Sequence, residues 1–159
     1  MYVLLLAWSL SGPAVAAEPA AAQTMVVVSP DTLTRYDALR AALVEDKYDV
    51  VASLAADFTA ASIADPALAA AAGAVATAAD AAHQRTAFGE LSKLLLLRLA
   101  ASSSPPKVWA YFCPMWSGFG WWIQTQPGIS NPYMGTSMPR CGSEVSWRAA
   151  ARAAAAPAP

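Results

Sequence analysis

Ser29-Pro30-Asp31-Thr32-Leu33-Thr34-Arg35-Tyr36-Asp37-Ala38-Leu39-Arg40-Ala41-Ala42-Leu43 is the stretch that decides the fold. Ser29 reads as a helix N-cap, Pro30 as the first helical residue and Asp31 as an acidic first turn. Leu33, Tyr36, Leu39, Ala42 and Leu43 then recur at helical spacing and make one apolar stripe. Glu45-Asp46 opens a second helix, with Tyr48, Val51, Leu54, Ala55 and Phe58 on one face. Asp65-Pro66 repeats the cap-and-proline signal and starts a third segment, 67–82, made almost wholly of alanine and other small residues. A fourth helix turns Phe88, Leu91, Leu95 and Leu99 inward and Lys93 and Arg98 outward. Gly73 and Gly89 weaken these helices by up to about 1 kcal/mol each without forbidding them. Short connections favour antiparallel neighbours. The pattern predicts a mainly α fold: a four-helix up-and-down bundle followed by a small irregular β/loop subdomain, with Tyr36, Tyr48 and Phe58 in the core.

After Ser102-Ser103-Ser104-Pro105-Pro106 the alanines stop, and tryptophan, proline, glycine and sulfur concentrate. Residues 108–112 and 120–124 read as strands, and Gln126-Pro127-Gly128 and Asn131-Pro132 as turns. The helical domain with its Cys/Met-rich subdomain spans 30–147, and the Ala/Arg/Pro tail, 148–159, reads as disordered. At the other end, Val3 to Leu10 is a short apolar run broken by Gly12-Pro13 and followed by the small residues Ala14 to Ala17. That is the pattern of a signal peptide over 1–17, with a flexible linker over 18–29 and a periplasmic destination. The run is short for an uncleaved anchor.

Composition narrows the function. Charged residues are 13% and the net charge is −1, so no basic cluster exists to face phosphates, which argues against nucleic acid. Beyond the N-terminus no apolar run reaches the ~20 residues of a spanning helix, so no integral membrane segment is expected after signal removal.

The chemistry gathers in the C-terminal third. Cys113-Pro114-Met115, Met134, Met138 and Cys141 hold both cysteines and three of the five methionines. Thiolate and thioether are soft donors that select copper(I) or silver(I) over hard cations. Met138 and Cys141, three apart, can face one point from a single turn. The spacing lacks the Cys-x-x-Cys of structural zinc. Trp116, Trp121 and Trp122 would shield such a site or offer it a ring face. The alternative is a Cys113–Cys141 disulfide, ordinary in an oxidising compartment. It would close a loop of roughly 30 residues, worth about 3–4 kcal/mol. The methionines would then be packing residues.

Four stretches carry a resemblance. Residues 36–46, then Gln84-Arg85-x-x-Phe88-x-x-Leu91-Ser92, then Cys113-Pro114-Met115, then Ile129-Ser130-Asn131-Pro132-Tyr133-Met134-Gly135-x-x-Met138-x-x-Cys141-Gly142 resemble a bacterial domain family of unknown function. Members occur alone or fused to the periplasmic adaptor (membrane-fusion) subunits of copper/silver efflux systems. The resemblance runs over roughly residues 33–146. It implies a helical domain with a metal site at Cys113, Met115, Met138 and Cys141, with Met134 as a further ligand. It also implies an efflux adaptor or another envelope protein as partner. Trp116 and Trp121-Trp122 depart from the more polar residues expected around the motif, and the adaptor's other domains do not accompany it. Arg85 and Ser92 recur in the resemblance and would tie the helices to the C-terminal segment. His83 is the only histidine, and at a helix start it reads as a surface or capping residue ahead of a ligand.

Catalysis finds no support in these residues. One histidine must serve any triad, no Gly-rich phosphate loop occurs, and a thiol oxidoreductase would want Cys-x-x-Cys. Two readings of a non-enzyme stand side by side: a copper(I)/silver(I)-binding domain that sequesters or passes on the ion, and a disulfide-stapled interaction module without metal.

Overall fold

The computed structural model describes residues 28–157, so the signal peptide and most of the linker lie outside the described residues. Helix α1 runs Pro30–Val44, α2 Tyr48–Ala61, α3 Pro66–Ala76 and α4 Ala81–Ala101. Three of the four begin as their caps dictate. Ser29 Oγ accepts from the Thr32 N–H at 3.0 Å, Asp65 Oδ1 from Leu68 at 3.2 Å, and Asp80 Oδ1 from His83 at 2.9 Å. The alanine-rich segment breaks after Ala76, because Asp80 recaps the chain and starts α4 afresh.

Each helix packs on the next, α1 on α2, α2 on α3 and α3 on α4. Leu33, Tyr36, Leu39 and Leu43 of α1, Val51 and Phe58 of α2, and Phe88, Leu91, Leu95 and Leu99 of α4 are all buried. The Tyr36 hydroxyl meets Ser92 Oγ at 2.7 Å in that core, and its ring stacks on Phe88 at 4.9 Å. Burial pushes the Tyr36 phenol far above its ordinary pKa, so it stays neutral. Arg98 does not simply face water: its Nε donates to Asp65 Oδ2 at 2.7 Å and ties α4 to the start of α3.

The second part is a three-stranded antiparallel sheet in the order β2-β1-β3, with β1 Trp109–Phe112, β2 Trp121–Gln124 and β3 Ser143–Val145. Strands β1 and β2 fall within the stretches read from sequence. Tyr111 pairs with Trp122 and Phe112 with Trp121, and β3 pairs on the other edge, Tyr111 opposite Glu144. The chain is therefore mainly helical with a small sheet, and five helices are present among the described residues where four were expected. The fifth, α5 Trp147–Ala155, occupies most of the tail expected to be disordered. Alanine is the best helix former, and Ala150, Ala151 and Ala154 form a buried stripe of small side chains against α4 and β1. No helix among the described residues is long and apolar enough to cross a membrane.

Polar contacts clamp the loop after β2 onto the helices. Asp37 of α1 accepts from the Thr125 N–H at 2.9 Å and from the Thr125 hydroxyl. Arg40 donates to the Ser130 carbonyl at 3.2 Å, and Arg85 of α4 to the Pro132 carbonyl at 3.1 Å.

Candidate functional site

The loop 125–142 carries Met134, Met138 and Cys141, and it brings Cys141 back to Cys113 at the end of β1. Cys113 follows β1, and its N–H donates to the Gly120 carbonyl at 2.9 Å, which closes the 113–120 turn. Cys141 precedes β3, and its N–H donates to the Met138 carbonyl at 3.1 Å, so Met138 and Cys141 do share one turn. Asn131, fully buried, organises this segment. Its N–H donates to the Pro139 carbonyl at 2.8 Å and its Nδ2 to the Cys141 carbonyl at 2.7 Å, while its Oδ1 accepts from the Tyr133 N–H at 2.7 Å.

The two Sγ atoms end 3.9 Å apart as free thiols, although 28 residues separate them. Cys113 is wholly buried and Cys141 half-buried, so solvent reaches the pair from the Cys141 side. Burial, then the neighbouring Cys113 thiol, raise the Cys141 pKa. At Gly142 the backbone adopts φ +129°, and a Cβ there would stand 2.7 Å from the Phe112 carbonyl oxygen. This close crossing lets the Cys141 turn lie against the end of β1.

Met115 and Met134 lie elsewhere. They line an open cleft of about 480 Å³ with Trp116, Tyr133 and the Asp46–Arg85 pair, and neither cysteine lines it. The sulfur residues therefore divide into the thiol pair, with Met138 in the same backbone turn as Cys141, and Met115 and Met134, which line the cleft. Trp116 stacks on Tyr133 with centroids 5.4 Å apart, and both rings line the same cleft. Trp122 is buried against Tyr111 at 5.4 Å, and its ring end lies close to Gly142, the residue after Cys141. Trp121, expected to shield the same site, points to the opposite face of β2, against Phe112 at 4.5 Å and beside Ala153 of α5. Strand alternation forces that split between neighbours.

Arg85 ties the helices to the loop as expected from sequence, donating to Pro132, to the Tyr48 hydroxyl at 3.0 Å and to Asp46. Asp46, Asn131 and Tyr133 were not singled out in the sequence as site residues. Asn131-Pro132-Tyr133 within the motif was the one signal for the last two. His83 is exposed and its Nδ1 meets Asp80 at 2.8 Å, a capping role. No group of three or more His, Cys, Asp or Glu able to hold a metal occurs among the described residues. Any soft-ion site must then be built from the two thiols and thioethers. Comparison of the chain with protein-family models, with curated proteins and with solved structures finds no match in any of the three.

Proposed function

We propose that this is a periplasmic binding domain for copper(I) or silver(I), in which Cys113 and Cys141 supply two thiolates and Met138 a third, thioether ligand. It would sequester the ion or pass it to an efflux adaptor or another envelope protein, and it catalyses no reaction. The single observation behind this reading is the 3.9 Å approach of the two Sγ atoms. With thiolate–metal bonds of about 2.3 Å, that separation subtends roughly 115° at a shared ion, an angle that suits three ligands. Soft donors alone, with Cys113 buried and the pair open on the Cys141 side, favour a soft monovalent ion.

A second reading is supported by a different observation. Cys113 is wholly buried and Cys141 half-buried, a setting that favours neutral thiols, raises the Cys141 pKa and would favour a lasting disulfide over a pair of thiolates. Oxidation would form the S–S bond and send two protons and two electrons to an oxidant such as a partner protein's disulfide. The domain would then be a stapled envelope interaction module. Copper(I) titration of the fully reduced chain against a competing chelator, after a thiol count, separates the two. One-to-one binding that Cys113→Ser abolishes and Met138→Leu weakens supports the metal site. Two countable thiols with no binding would sink it.

A further inference from the structure

We propose that a second cleft, between α1 and the 125–142 loop, is a carboxylate-binding site in which Arg40 and Arg140 hold the ligand. It goes beyond the soft-ion reading and uses none of the sulfurs. The cleft has a volume of about 480 Å³, with Arg40, Arg140, Gln126 and Ser130 among its polar lining residues and Pro127 and Ile129 among its apolar ones. No acidic residue lines it. The two arginines lie far apart in sequence, and one buried residue ties them to the same place. Arg40 Nη1 donates to the Ser130 carbonyl at 3.2 Å. The next residue, the fully buried Asn131, brackets Arg140 from both sides. Its N–H donates to the Pro139 carbonyl at 2.8 Å and its Nδ2 to the Cys141 carbonyl at 2.7 Å. The backbone of Arg140 is therefore fixed to the residue that follows the carbonyl held by Arg40.

Arg40 is set in place before any ligand arrives. Its side chain is only 12% exposed and is held by Asp37 at 3.0 Å as well as by Ser130, so little freedom is left to lose on binding. Its Nη2 makes no hydrogen bond among the described residues, and the exposed Arg140 side chain makes neither a hydrogen bond nor an ion pair there. Charge then sets the class of ligand. Asp37 offsets one guanidinium, with one oxygen taken by Arg40 and the other by the N–H and hydroxyl of Thr125. Glu144, opposite Tyr111 on β3, pairs with neither arginine among the described residues. One positive charge is left in excess, which a monoanion cancels and a doubly charged phosphate would overshoot. The planar guanidinium fork matches the two oxygens of a carboxylate. Pro127 and Ile129 suit a short apolar body, so the ligand is a small monocarboxylic acid or the carboxylate end of a peptide.

The test uses the full reduced chain labelled with nitrogen-15, and follows the arginine Nε–H resonances as sodium butyrate is added against sodium chloride at equal ionic strength. The Arg40 and Arg140 signals should shift together and saturate with butyrate but not with chloride. Arg140→Gln should weaken butyrate by about tenfold, the loss of one charge-assisted pair. Arg140→Lys should recover only part of that, because an ammonium lacks the fork. Both variants should fold like the parent, since the Arg140 side chain is exposed. Acetyl-trialanine with a free C-terminus, against its amide, distinguishes the source. Binding of the acid form at least as tight as butyrate, and lost in the amide, assigns a peptide terminus; butyrate alone assigns a free acid, and either supports the site. No saturable shift with either carboxylate overturns the proposal. So does an Arg140→Gln variant that binds as tightly as its parent, or inorganic phosphate that binds more tightly than butyrate.

Discussion

The Asp46 carboxylate, at the corner between α1 and α2, accepts both the backbone N–H of Thr136 at 2.9 Å and its hydroxyl at 2.5 Å, across 90 residues of sequence. Tyr48 Oη donates to the same carboxylate at 2.7 Å, and Arg85 pairs with it. One acidic side chain thus fixes the loop that carries Met134, Met138 and Cys141 to the helical layer. Asp46 itself sits at φ +56°, a left-handed conformation that aspartate tolerates better than most residues.

Asp46→Asn should cost about 2 kcal/mol, because the buried Arg85 loses its charge partner while the shape is kept. The sign of the pH dependence follows from the hydrogen bonds of Thr136 and Tyr48, which hold the Asp46 pKa far below its ordinary value. Its contribution is complete above the unfolded value of about 3.9 and fades as pH falls from there toward the folded one. Urea unfolding of both proteins at pH 7 and pH 3 should show the gap narrowing in acid. A gap unchanged with pH would mean the charge plays no part.

Gly135→Ala should break the same lock from the other side. Gly135 adopts φ +55°, and an added Cβ would stand 2.1 Å from Asp46 Oδ1. Strain and clash together should destabilise by about 2–3 kcal/mol. If the loop is what holds the sulfurs in register, ion binding should weaken as well. Gly128→Ala is the comparison, since φ there is also positive but nothing lies within 4 Å of the added atom. Equal losses at both positions would show that backbone strain, not the Asp46 contact, is responsible.

Much of the helical layer was legible because its signals are local. Ser29-Pro30 and Asp65-Pro66 cap and start helices through bonds that span three residues, and apolar spacing names the inward faces. Strands β1 and β2 were legible from their aromatic runs. Three residues, Ser143-Glu144-Val145, carry no such run, and β3 shows itself only in its pairing with β1. Helix α5 was missed because alanine and arginine describe a solvated tail and a helix equally well until a partner face is present. The nearness of Cys113 and Cys141, and the split of Met115 and Met134 away from them, depend on Asn131, Tyr133 and Asp46. Their contacts reach as far as 90 residues, and no spacing rule records them.

If α5 is a docked helix, its buried alanines should be sensitive and its outer arginine indifferent. Ala150 is fully buried on α4, so Ala150→Leu should overpack that contact and cost about 1–3 kcal/mol. Arg152 is exposed, and Arg152→Gln should stay within about 0.5 kcal/mol of the parent. Thermal unfolding by circular dichroism reads both. An Ala150→Leu variant as stable as its parent would mean the helix does not pack there.

The thiol site should bind more tightly as pH rises, and its slope identifies the ligands. Each thiol that ligates must lose its proton, so every bound thiolate steepens the apparent affinity by about tenfold per pH unit below its pKa. The raised Cys141 pKa extends that range upward, because burial and the adjacent Cys113 disfavour its anion until the ion arrives. Copper(I) competition between pH 6 and pH 8 should therefore give a slope approaching two protons for the unaltered chain. Cys141→Ser should reduce the slope to at most one, and Met138→Leu should weaken binding without changing it, since a thioether has no proton to release. A slope near zero with full binding would shift the ion from the cysteines to the methionine cleft. A slope that survives Cys141→Ser would remove that residue from the ligand set.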